Sequence, residues 1–108
     1  MDEERMRVEA ERVAEKLKAK GYNTSVRRAV IKNLMGDTVV KYNVVATKEE
    51  TVVRWSVSEN AYEVSIRVVG EVDEEAAESK GYHIEKDGEY TRLFKRSTKP
   101  FSFFDNLP

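Results

Sequence analysis

The chain has 108 residues, 36% of them charged, with 19 basic and 20 acidic side chains. That near-balance excludes a global attraction to nucleic acid or an acidic membrane surface, and the absence of cysteine excludes disulfides and thiolate chemistry. No apolar run approaches the ~20 residues of a membrane span, and the charged opening Met1-Asp2-Glu3-Glu4-Arg5 lacks the apolar middle of a secretory signal, so a soluble, cytoplasmic protein is expected.

The length fits one domain, residues 1–108, with a single modest core. Residues 2–20 read as an amphipathic helix: Met6, Ala10, Val13, Ala14 and Leu17 form one apolar stripe. Acids lead it (Asp2, Glu3, Glu4) and bases end it (Lys16, Lys18, Lys20), which complements the helix dipole. Gly21 is placed to cap its end, with Tyr22 folding back on the last turn.

Four strand-like runs follow, at about 23–35, 38–47, 52–58 and 61–70. A two-residue turn at Glu59-Asn60 sets Trp55 opposite Val64, Val57 opposite Tyr62 and Val53 opposite Ile66. A loop over Lys48 to Thr51 brings Ala46, Val44 and Tyr42 to the same face. Both hairpins match apolar to apolar, and a slip of one residue would spoil both, so an antiparallel meander is expected. For the first strand, a turn at Gly36-Asp37 puts Ala29 and Ile31 beside Val44 and Tyr42, and Arg27-Arg28 marks a candidate bulge.

Residues 73–80 form a short helix with Asp73 as its N-cap, ending in a Lys80-Gly81-Tyr82 that repeats Lys20-Gly21-Tyr22. Residues 82–96 make a hairpin about Asp87-Gly88, which sets His83 opposite Arg92. The tail, 100–108, has no period but carries Phe101, Phe103, Phe104 and Leu107, too apolar a set for a disordered end. The expected fold class is therefore α+β: an N-terminal helix packed on a curved antiparallel meander, a short second helix and a C-terminal hairpin.

Chemistry is sparse. His83 is the sole histidine, without a neighbouring nucleophile pattern, and no metal-ligand spacing or Gly-rich phosphate loop occurs. The carboxylates sit in turns and helix starts, and Glu63 alone shares a strand face with bases. No catalytic, cofactor or metal residue is assigned, and an enzyme is not expected. Interaction is the remaining class. On the registers above, the second sheet face shows Arg28, Lys32, Lys41, Asn43, Arg54, Ser56, Ser65 and Arg67 among Val26, Val30, Leu34, Val39, Val45 and Val52. Tyr42, Trp55 and Tyr62 point to the helix side, so stacking platforms are missing from this face and nucleic acid ranks low among partners. Half-apolar, the face calls for cover by the hairpin, the tail or a second copy of the chain. The residues singled out for interaction are Arg54, Arg67, Phe101, Phe103, Phe104 and Leu107.

The element order of residues 2–70, one helix and then a meander, is similar to the cystatin-like topology. Where cystatins carry the Gln-x-Val-x-Gly loop that plugs cysteine proteases, this chain has Asn33-Leu34-Met35-Gly36-Asp37, so the resemblance implies a fold and not protease inhibition. The dipole-matched first helix, glycine caps, Asp-Gly hairpin, short loops and lack of cysteine also resemble a computationally designed protein. That resemblance implies a recombinant, non-enzymatic α+β scaffold whose main property is its fold. The alternative is a protein- or peptide-binding module that uses the second sheet face, a sheet edge or the aromatic tail.

Overall fold

In the computed structural model, which describes all 108 residues, helix α1 spans Glu3–Ala19. It starts where the Asp2 carboxylate accepts the Arg5 amide at 2.8 Å, and it buries Met6, Ala10, Ala14 and Leu17. It ends as the Gly21 amide donates to the Lys18 carbonyl and the Tyr22 amide to the Leu17 carbonyl. Gly21 has a φ of 95°, which a side chain would strain. Helix α2 (Glu74–Ser79) repeats the device: Asp73 caps its start, and the Gly81 and Tyr82 amides close its end. The likeness goes beyond the Lys-Gly-Tyr triplet. Lys48 from the sheet donates to the Lys20 carbonyl and lies over the Tyr22 ring, while Lys95 donates to the Lys80 carbonyl and lies over Tyr82. Each helix is thus tied to the sheet through its last carbonyls, where a cation is favoured.

Six strands form one antiparallel sheet in the order β1-β2-β3-β4-β6-β5. They are β1 (Asn23–Lys32), β2 (Thr38–Lys48), β3 (Thr51–Ser58), β4 (Tyr62–Val69), β5 (His83–Asp87) and β6 (Tyr90–Ser97). The central registers are those expected: Tyr42, Val44 and Ala46 face Val57, Trp55 and Val53, which face Tyr62, Val64 and Ile66. The β3–β4 turn closes with the Ser58 amide on the Ala61 carbonyl at 2.9 Å.

Two registers differ from the sequence reading. Between β1 and β2 the loop is Asn33–Asp37 rather than a tight turn at Gly36-Asp37, because the Asn33 side chain accepts the Met35 and Asp37 amides and holds a wider bend. Val26 therefore pairs with Val44 and Arg28 with Tyr42. The parity flips: Val26, Arg28, Val30 and Lys32 lie on the helix side, and Ser25, Arg27, Ala29 and Ile31 lie on the other. Ten consecutive pairs run without a bulge, so Arg27-Arg28 does not break the ladder. In the last hairpin the turn is Gly88-Glu89, and His83 pairs with Phe94 instead of Arg92.

Both helices and the tail cover the same sheet face. The buried core joins the α1 stripe to Val44, Val53, Trp55, Val57, Val64 and Ile66, to Leu93 on β6, to Ala77 of α2, and to Phe103. Burying aliphatic and aromatic side chains of this size contributes roughly 1.5–3 kcal/mol each before chain entropy is counted. Phe103 is 1% exposed and stacks on Phe104 at 4.2 Å between ring centres. Lys20 donates to the Phe104 carbonyl, Tyr22 donates to the terminal Pro108 oxygen, and Lys95 lies over Phe101. The C-terminal residues thus complete this layer. The other face of the sheet is left open.

Candidate functional site

On the open face the strand pairings align side chains in rows across the sheet. One row runs Ser25, Val45, Arg54, Ser65, Phe94, His83, and the next runs Arg27, Asn43, Ser56, Glu63, Arg96. On the far side of the first row lie Asn23, Thr47, Val52, Arg67, Arg92 and Glu85. Short side chains occupy the middle of the face and arginines surround them. The result is a groove of about 560 Å³ with Ser25, Asn43, Ser56 and Ser65 along its floor and Arg27, Arg54, Glu63 and Phe94 around it.

A smaller cleft of about 160 Å³ opens beside the groove, between Arg54, Arg67 and Arg92 and over Ser65 and Val52. Arg67 and Arg92 are direct cross-strand partners, and Arg54 is diagonal to Arg67. Like charges set opposite each other across a strand pair are destabilising. Little relieves them here: Asp87 comes no closer than 3.8 Å to Arg92, Glu85 opposite Arg92 lies toward His83 at 3.7 Å instead, and the Arg67 guanidinium rests 4.8 Å above the Tyr90 ring. The Arg67 Nε is buried and has no hydrogen-bond partner. Elsewhere on the face Arg96 has half-buried Glu63 at 3.6 Å and His83 has exposed Glu85 at 3.7 Å, solvent-screened contacts of small energetic weight.

Of the residues singled out from sequence, Arg54 and Arg67 come together on this face, separated by one diagonal step. Phe101, Phe103, Phe104 and Leu107 do not join them, since they pack against the core on the helix side. Arg28 and Lys32 also leave the face; Arg28 turns toward α1 and pairs with Glu3, which in turn accepts the Tyr42 hydroxyl. Those bonds to Arg28 and Tyr42 hold the Glu3 carboxyl below the usual carboxylate range.

The sequence reading missed Arg27, Arg92 and Phe94, along with Tyr90. The alternation Tyr90, Arg92, Phe94, Arg96 against Thr91, Leu93 and Lys95 could have shown them as one strand face. What was missing was that β6 pairs with β4, which puts Phe94 beside Ser65 with 43% of its surface exposed. The face therefore does carry an aromatic platform, contrary to the expectation from Tyr42, Trp55 and Tyr62.

A second depression, about 630 Å³, lies between α2, the tail and the β2–β3 turn, with Glu49, Glu50, Glu71, Asp73 and Asp105 against Lys80. No three His, Cys, Asp or Glu side chains converge as metal ligands, and no helix is long and apolar enough to cross a membrane. Compared with protein families, with curated proteins and with solved structures, the chain finds no match.

Proposed function

We propose that this protein is a non-catalytic binding module that takes anionic ligands on the open face of its sheet. The observation that carries this reading is the cleft formed by Arg54, Arg67 and Arg92. Three guanidinium groups crowd there with two acidic neighbours, Asp87 at 3.8 Å from Arg92 and Glu85 opposite it on β5, and one Nε is buried without an acceptor. Both features cost stability in the free protein. A bound oxyanion relieves the like-charge part of that cost, because the planar guanidinium fork presents parallel donors to carboxylate or phosphate oxygens. The Ser65 hydroxyl adds a further donor at the floor.

Thermal unfolding in sulfate and in chloride at equal ionic strength tests this, together with retention on a polyanion column as salt is raised. Anion at about ten times its Kd adds roughly 1.4 kcal/mol to the folded state, a rise of several degrees in Tm for a domain of this size. Wild type is expected to show that rise beyond the general stabilisation that excluded sulfate gives, with salt-sensitive retention, and the R54A/R67A double variant to lose the excess and the retention. Equal behaviour of the two proteins would contradict the proposal.

A scaffold whose main property is its fold is the second reading. The capped, dipole-matched α1 supports it, since propensity, pattern and capping there all agree. Under that reading, replacing Arg54 and Arg67 changes stability alone.

A further inference from the structure

We infer that the ligand of this face is single-stranded nucleic acid, an inference that rests on the anion-binding reading and narrows it. Phosphate recognition alone would need only the Arg54, Arg67 and Arg92 cleft. The face has more. Phe94 stands in the row next to Arg67 and Arg92, flanked by Ser65 and His83, and the residue is 43% exposed. Set on β6 beside the arginines, a partly exposed phenylalanine supplies the π plane on which a base stacks without regard to sequence. The groove beyond it offers Ser25, Asn43, Ser56 and Ser65, short donors and acceptors suited to base edges and sugars. Arg27 extends the cationic track to the first strand. A double helix presents its bases edge-on inside grooves, where a phenylalanine on a sheet face has no base plane to meet. A single strand can lay its backbone over the arginines while splaying a base onto Phe94.

An acidic peptide is the competing occupant. It would use the same arginines but has no use for the aromatic plane, and this difference sets the experiment. Fluorescence anisotropy is measured with a fluorescein-labelled oligothymidylate of about 12 nucleotides, within the ~4–16 that a sheet-borne site of this kind spans, and with an oligoglutamate of equal charge. The proteins are wild type, R54A/R67A, F94A and F94L; the leucine keeps apolar bulk and loses the π face, and unchanged thermal unfolding of F94L certifies its fold. The expected result is that the oligothymidylate binds more tightly than the oligoglutamate. F94A and F94L each weaken it about fivefold or more, and R54A/R67A makes its log–log salt dependence shallower by ~0.7 for each phosphate the variant no longer neutralises. Equal affinity for both probes, unchanged in F94A and F94L, would overturn the nucleic-acid inference while leaving the anion-binding face in place. No binding of either probe, with a sulfate response in unfolding no larger than that of R54A/R67A, would remove both.

Discussion

Tyr62 shows how a single side chain ties α1 to the sheet. Its ring packs in the core 6.2 Å from Trp55, and its hydroxyl donates to Glu9 at 2.7 Å. Burial first, and then that bond to a carboxylate, push its pKa up to about 12. Tyr22, Tyr42 and Tyr82 shift in the same direction, each chiefly through burial. The fold therefore favours the neutral phenol, whereas tyrosine in the unfolded chain titrates near ~10. Stability from this source is complete below about pH 10 and is lost as pH rises toward the folded value. The Y62F variant keeps the ring but cannot ionise. Its Tm is expected to be lower at neutral pH, because a hydrogen bond to a charged group contributes roughly 1.5–3 kcal/mol. It should then decline less steeply than wild type between about pH 9.5 and 11.5. Parallel declines in the two proteins would show that Tyr62 does not report the transition.

At the scale of elements, the tail is the piece whose role the structure decides. Phe103 is fully enclosed and Leu107 packs on the same core, so residues 100–108 belong to the domain's own layer. A chain ending at Lys99 should lose at least the ~3–5 kcal/mol typical of a buried phenylalanine removed from a core. Light scattering should find the full chain monomeric and the shortened one less stable by chemical denaturation; a full-length dimer that becomes monomeric on truncation would contradict this. The elements were unequally legible in the sequence. α1 and the β2–β3–β4 meander could be read because two short turns and a two-sided apolar alternation leave one register. β1 could not, because five loop residues organised by the Asn33 side chain change the parity of the strand, and nothing in the run from Val26 to Lys32 distinguishes its faces. The site was harder still. Arg54 and Arg67 were visible as bases on one face. The pairing of β4 with β6 is long-range, however, and local pattern does not say which strand of the last hairpin lies inward. Arg92 and Phe94 depended on that one fact.

On the scale of the whole molecule, a formal net charge of −1 conceals two opposed surfaces. The open face gathers Arg27, Lys41, Arg54, Arg67, Arg92 and Arg96 against Glu63, Glu85 and Asp87. The depression on the helix side is rimmed by carboxylates. An approaching polyanion is drawn to the first and repelled from the second, which orients it before binding. The β1–β2 hairpin adds a third feature, since it runs past the start of α1 and leaves Leu34 and Met35 almost fully exposed. Ligand binding is therefore predicted to be one-sided. The most direct measurement is an amide chemical-shift titration of the full chain with unlabelled oligothymidylate at low salt. Shifts are expected to concentrate at Arg54, Ser65, Arg67, Arg92 and Phe94, with α1 and residues 100–108 unmoved. Shifts centred on the helix-side depression or the Leu34-Met35 tip, or none at millimolar ligand, would contradict that expectation.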